Sequence, residues 1–132
     1  MPTIDELVGP LNRSPGEVKK TLRRLRKLRL IKWNKTSDDY DLWLLPGETR
    51  EQYTIRYHRT LNSDDSIVFV LVELTEETDS CSHEQLVEYM VDEVNWPLER
   101  IDRAIARLTE RGILQDFFTL DHGQWSRKYL DS

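Results

Sequence analysis

Apolar residues recur in nearly the same order near the two ends of the chain, 83 positions apart. The matched positions are Ile4 and Val87, Leu7 and Met90, Val8 and Val91, Leu11 and Val94, Val18 and Ile101, Leu22 and Ile105, Leu25 and Leu108, Leu30 and Ile113, and Ile31 and Leu114. The match runs without a gap through two predicted helices, their connection and the apolar pair that follows. We interpret it as one supersecondary unit that occurs twice in the chain.

Each copy of the unit predicts a short helix, a turn and a longer helix. Apolar residues at helical spacing indicate the short helices at 3–9 and 84–93. The same criterion indicates the longer helices at about 15–28 and 97–111, each with one apolar stripe. The chain therefore predicts two helix-turn-helix segments.

Capping residues mark the ends of the longer helices. Ser14-Pro15, with Glu17 three residues after the serine, is typical of a helix start. Gly112 stands where a C-terminal cap belongs in the second copy, whereas the equivalent residue of the first copy is Arg29. We therefore expect the first long helix to end in a different way from the second.

Segments rich in aromatic residues follow each long helix and predict two β-hairpins. In the first copy the strands are expected at 30–34 and 40–45, joined by a polar turn. In the second copy they are expected at 113–120 and 124–130. The predicted fold class is α+β, mainly α with small β-hairpins.

Two further segments leave a choice between helix and strand. Residues 66–78 have helical apolar spacing, but their β-branched content leaves a strand open. Residues 48–61 are interpreted as a helix, although Tyr53, Ile55 and Tyr57 alternate as they would in a strand.

The order of short helix, turn, longer helix and two-stranded ribbon resembles the winged-helix superfamily. The resemblance covers about residues 3–46 and 66–130. Its motifs are Ile4-Asp5-Glu6-Leu7-Val8 leading to Ser14-Pro15-Gly16-Glu17-Val18, and His83-Glu84-Gln85-Leu86-Val87 leading to Arg111-Gly112-Ile113-Leu114.

The resemblance implies two tandem winged-helix-like units, at 1–62 and 63–132. Members of the superfamily also have a helix before the helix-turn-helix, for which 66–78 can serve in the second unit. The first unit departs from the pattern because no room for such a helix precedes Ile4. The segment 48–61 or a partner chain could supply the missing packing surface.

Charge is strongly polarised along the chain, which the formal net charge of −5 conceals. Residues 13–35 hold ten basic residues and one acid, a net charge of +9. Residues 36–132 hold nine basic and 21 acidic residues, a net charge of −12. The basic segment coincides with the predicted helix 15–28, and an anionic partner would relieve the repulsion between its like charges.

In the winged-helix superfamily the corresponding helix enters the major groove of DNA, and basic side chains there contact base edges or phosphates. The resemblance therefore implies groove contacts by Lys19, Lys20, Arg23 and Arg24, and phosphate contacts by Arg26, Lys27, Arg29 and Lys32. Lys35 suits a backbone contact by the first hairpin. We expect the acids at 38, 39 and 41 to be turn formers rather than contacts.

These observations predict a sequence-specific double-stranded DNA-binding protein that regulates transcription or replication and binds through the basic helix 15–28. The helix 97–111 mixes charges and is expected to contact a protein partner or form a homodimer instead. A second hypothesis from another class is that the whole chain is a winged-helix module for protein–protein interaction, in which the basic helix meets an acidic protein surface.

Other chemistry finds little support in the sequence. Cys81 and His83 are close but lack the second pair of ligands that a zinc site needs, so we expect no metal, no cofactor and no enzyme activity. The single cysteine suits a reducing cytoplasm. The first eleven residues carry two acids and no basic residue, unlike a signal peptide, and no run is long enough to span a membrane.

Overall fold

The computed structural model describes residues 14–128, which form six helices and two small antiparallel sheets. This confirms the expected α+β class. The chain divides into two compact units, Met1–Asn62 and Ser63–Ser132. The short helix predicted at 3–9 and the last two residues of the strand predicted at 124–130 lie outside the described residues.

In sequence, the first unit consists of a helix, a β-hairpin and a second helix. Helix α1 spans Pro15–Lys27, strands β1 and β2 span Ile31–Asn34 and Asp39–Leu42, and helix α2 spans Arg50–Leu61. The strands pair antiparallel, with Ile31 opposite Leu42 and Trp33 opposite Tyr40. The segment after the hairpin is helical, as interpreted from the sequence, and the alternative of a strand is wrong.

Helix α2 starts at a capping box and packs the core of the first unit through its tyrosines. The hydroxyl of Thr49 accepts from the Gln52 backbone N–H, and the Gln52 side chain accepts from that of Thr49. The buried Tyr53 donates its hydroxyl to the Leu30 carbonyl oxygen at 2.5 Å. Burial raises the pKa of Tyr53. This bond ties the end of the α1 segment to α2.

An ion pair holds the connection between β2 and α2. The Arg56 guanidinium donates to both carboxylate oxygens of Glu48, at 2.9 and 3.0 Å, and to the Trp43 carbonyl oxygen at 2.7 Å. These hydrogen bonds from Arg56 lower the pKa of Glu48. The hairpin is thereby anchored to α2 through contacts separated by up to 13 residues.

The second unit consists of helices followed by a hairpin, with one more strand inserted between them. Its elements are α3 (Ser66–Leu74), β3 (Ser80–Ser82), α4 (His83–Asp92), α5 (Leu98–Glu110), α6 (Ile113–Phe117), β4 (Phe118–Asp121) and β5 (Gln124–Arg127). The strands form one antiparallel sheet in the order β3-β5-β4. Within residues 14–128, no helix is both long and apolar enough to cross a membrane.

The sheet of the second unit differs from the sequence prediction at two places. Ile113–Phe117, expected in a strand, forms a short helix. Ile113 and Leu114 are both buried; a strand facing one core would point these neighbours to opposite sides, whereas a helical turn can bury both. Strand β3 was not predicted, because Ser80–Ser82 is too short to show an alternating pattern.

Helix α3 is the most buried element of the second unit. Its six residues from Ser66 to Leu71 are all buried, so the helix has no exposed face along this stretch. Burial on all sides explains how a segment rich in β-branched residues forms a helix, because packing outweighs propensity there. The helix interpretation of this segment is correct, and the strand alternative is wrong.

The two long helices end in the same way, contrary to expectation. Helices α1 and α5 have bounds 83 residues apart, and each is followed by a residue with positive φ, Arg29 at +60° and Gly112 at +74°. The backbone hydrogen bonds that end α1, from Leu28 to Arg24 and from Arg29 to Arg26, recur 83 residues later. A buried pair follows each turn, Leu30 and Ile31 in the first unit and Ile113 and Leu114 in the second, and the first turn forms without a glycine at position 29.

Replacing Arg29 by glycine is expected to raise the free energy of unfolding by about 1 kcal/mol, because arginine is strained in the left-handed region and glycine is not. Urea denaturation of the full chain measures this difference. Arg29→Ala removes the same side chain but keeps the strain, and serves as the control. A glycine variant no more stable than the alanine variant would contradict the prediction.

Candidate nucleic-acid interface

Helix α1 presents one apolar side to the core and basic residues to solvent. Ser14 caps it by accepting from the Glu17 backbone N–H at 3.3 Å, and Pro15 occupies its first turn. Leu25 is fully buried, while Val18, Leu22 and Leu28 are half-buried along the same stripe. The remaining positions carry six lysines and arginines, and Glu17 is the acid in the first turn.

All nine basic residues predicted to contact DNA are exposed. They are Lys19, Lys20, Arg23, Arg24, Arg26 and Lys27 on α1, Arg29 after its end, Lys32 on β1 and Lys35 in the hairpin turn. No carboxylate of residues 14–128 forms an ion pair with any of them. These charges therefore lie exposed along one continuous segment without a carboxylate partner among the described residues.

Helical geometry sorts the basic residues of α1 by how directly they face solvent. With 100° between successive residues, Gly16, Lys20, Arg23 and Lys27 lie along one line opposite Leu25. We call these four residues the solvent ridge. Lys19 and Arg26 flank it on one side and Arg24 on the other.

Arg24 is engaged within its own unit. Its guanidinium donates to the carbonyl oxygen of Leu61, the last residue of α2, at 3.4 Å. A cation is favoured at the C-terminal end of a helix, where backbone carbonyls are unpaired. The sequence grouped Arg24 with the groove contacts, and in the structure its guanidinium is engaged with the end of α2.

The three acids of the first hairpin lie in its turn and on its second strand. Asp38 adopts a left-handed backbone with φ of +53°. The carboxylate of Asp39 accepts from the Tyr40 backbone N–H at 2.7 Å, and that of Asp41 accepts from the Asn34 amide at 2.6 Å. The turn interpretation therefore holds for Asp38, whereas Asp39 and Asp41 belong to strand β2 and accept hydrogen bonds within the hairpin.

The two units carry opposite net charge. Residues 14–62 hold twelve basic and six acidic residues, a net charge of +6. Residues 63–128 hold six basic and fifteen acidic residues, a net charge of −9. A phosphate backbone is attracted to the first unit and repelled by the second.

Helix α5, the counterpart of α1, has two of its three arginines engaged in contacts within the unit. Arg107 donates to both carboxylate oxygens of Asp64, at 2.7 and 2.9 Å. Arg100 lies over the ring of the buried Trp96, 4.0 Å from its centroid. Arg103 of α5 and Arg111, which follows the end of the helix, are exposed and are outnumbered by the acids at 99, 102 and 110.

Within residues 14–128, no group of three or more His, Cys, Asp or Glu side chains is arranged to hold a metal ion. Cys81 is buried, and burial raises the pKa of its thiol. His83 accepts a hydrogen bond at Nδ1 from the Trp125 indole at 3.2 Å. Cys81 and His83 are thus held by packing and by a hydrogen bond within the second unit.

The chain matches no protein-family model, no curated protein and no solved structure. The interface is accordingly defined by the exposure, charge and contacts of its own residues. The nine residues predicted from the sequence leave out Gly16 of the solvent ridge, which is visible in the sequence as a glycine within a predicted helix.

Proposed function

We propose that this chain is a DNA-binding protein with two winged-helix-like units and that it contacts double-stranded DNA through α1 of the first unit. The observation that carries the proposal is the nine exposed basic residues of Lys19–Lys35, which no carboxylate of the described residues neutralises. Binding to DNA, without any catalytic step, would be sufficient for a role in regulating transcription or replication.

The order of elements supports the winged-helix assignment. In the second unit, α3 precedes α4, a turn, the longer α5 and the ribbon β4–β5. In the first unit, α1 is followed by the ribbon β1–β2. The shared ending of α1 and α5, 83 residues apart, supports a common origin for the two units.

The mechanism follows from electrostatics and helix geometry. The solvent ridge faces the DNA groove, and Lys19, Arg26, Arg29, Lys32 and Lys35 neutralise phosphates around it. The acidic second unit keeps the rest of the surface repulsive to phosphate, which restricts binding to one orientation. The protein would thereby dock α1 against DNA and present its second unit to a partner.

The charge of α5 favours a protein-binding role for the second unit. Its arginines at 100 and 107 are occupied by Trp96 and Asp64, and the rest of its exposed surface is acidic on balance. We propose that this unit contacts another protein or a second copy of the chain.

Binding of the full chain to a labelled duplex, measured by fluorescence anisotropy at several salt concentrations, tests the proposal. The logarithm of affinity should fall linearly with the logarithm of salt concentration, by about 0.9 per phosphate neutralised. Three ridge cations and their neighbours predict a slope steeper than about −3. Absence of binding at low salt, or a slope near zero, would reject the DNA-binding function and favour a protein ligand.

A further inference from the structure

Gly16 is a glycine that no backbone angle or contact within residues 14–128 requires. It lies in the first turn of α1, is exposed, and is not among the glycines with positive φ. A Cβ atom added there would meet no atom within 4 Å. The other described glycines, at 47, 112 and 123, all have φ above +70° and are explained by their backbone conformation.

Gly16 also has a cost, because glycine is the least favourable helical residue apart from proline. Neither packing nor backbone conformation within residues 14–128 offsets that cost. What the position offers is space, because a molecule bound on this side of α1 can approach the helix backbone where no side chain intervenes.

The place of Gly16 on α1 indicates what that molecule is. Gly16 lies on the solvent ridge with Lys20, Arg23 and Lys27, so three cations and one position without a side chain point the same way. A cationic ridge matches a polyanion, and a long side chain at its head would hold that polyanion away from the helix.

We propose that Gly16 is the point of closest approach between α1 and duplex DNA, where the absence of a side chain lets the sugar-phosphate backbone contact the helix directly. The inference rests on the proposed DNA-binding function and deepens it by assigning a positioning role to a residue without charge. Lys20, Arg23 and Lys27 attract the duplex, and Gly16 sets how deeply the helix sits against it.

The test compares Gly16→Ala and Gly16→Leu with the wild type, in the full chain. We expect both variants to be as stable as the wild type or more so, with the alanine variant melting about 2–4 °C higher. We expect affinity for duplex to fall about threefold for alanine and about tenfold or more for leucine, because added atoms in a close contact must be accommodated by displacement.

The salt dependence of binding separates this steric effect from loss of charge. The Gly16 variants should bind more weakly with an unchanged log–log salt slope, whereas Lys20→Ala should reduce the slope by about one. Ala106→Leu adds similar bulk at an exposed position of α5 and should leave affinity unchanged.

The possible outcomes distinguish this inference from the proposed function. If the wild type shows steep salt-dependent binding but Gly16→Leu binds equally tightly, the role of Gly16 is rejected and the DNA-binding function stands. If Gly16→Ala lowers the melting temperature, the fold needs the glycine and the inference is likewise rejected. If the wild type does not bind duplex, both proposals are rejected.

Discussion

Reversing the charge of Lys20 and Arg23 together, as Lys20→Glu and Arg23→Glu, is expected to weaken binding to duplex DNA by about a hundredfold or more at low salt. Each substitution replaces an attraction to phosphate by a repulsion, and both residues lie on the solvent ridge. Both are exposed and form no ion pair with the described carboxylates, so the fold should tolerate the change. Anisotropy measures the affinity, and the helical circular-dichroism signal verifies folding.

The matched control is Arg103→Glu with Arg111→Glu in the second unit. Arg103 occupies the position in α5 that Lys20 occupies in α1, 83 residues earlier, and both control arginines are exposed. We expect the affinity for duplex DNA to change by less than about threefold, because the second unit is already negatively charged and repels phosphate. An equal loss of affinity in the two double variants would show that DNA contact is not confined to α1.

Acidification from pH 7 to pH 4 is expected to remove about 3 kcal/mol of stability through His58 alone. His58 is 1% exposed, and burial lowers its pKa from 6.5 to about 4. Between these two values the unfolded chain binds a proton that the folded chain does not, so the free energy of unfolding falls by about 1.4 kcal/mol per pH unit. This contribution is fully present above pH 6.5 and is lost by pH 4.

Urea denaturation at a series of pH values, compared between the wild type and His58→Phe, measures this contribution. Phenylalanine keeps a ring of similar size beside Tyr57. The ring of Tyr57 lies edge-on to that of His58, with 5.5 Å between the ring centroids. The wild type should lose about 3 kcal/mol more than the variant, because carboxylate titration is common to both. His58→Leu provides a second non-titrating variant if phenylalanine is not accommodated. If the wild type and the variant show parallel pH profiles, His58 binds its proton at the same pH in the folded and the unfolded chain, and the prediction is wrong.

The helices were the most predictable part of the fold. The predicted helix 15–28 is observed as Pro15–Lys27, and the helix expected at 84–93 as His83–Asp92. Both carry a periodic apolar stripe and an N-terminal cap, at Ser14 and Ser82, which are local features of the chain. Amphipathic periodicity and capping are readable in a few consecutive residues.

The errors arose where distant contacts override local preference. Strand β3 exists because Ser80–Ser82 pairs with Gln124–Ser126, more than 40 residues away. Arg29 adopts a left-handed backbone, which favours glycine, directly before the fully buried Leu30 and Ile31. Periodicity in a short window carries no information about either feature.

The candidate interface divides in the same way. Its nine basic residues and the polarity of charge along the chain are properties of the sequence, since they depend only on which residues occupy positions 19–35. Only the tertiary structure shows that all nine are exposed and that Gly16 has open space around its Cα atom.

The sequence by itself determined that one amphipathic helix carries an uncompensated positive charge and that a second helix repeats its apolar pattern 83 residues later. The tertiary structure decided which of the two helices keeps its cations available. Asp64 binds Arg107 across 43 positions of sequence, whereas the ridge cations at 20, 23 and 27 have no such carboxylate partner among the described residues. Charge neutralisation depends on distance in space, and only folding brings residues so far apart in sequence within reach of one another.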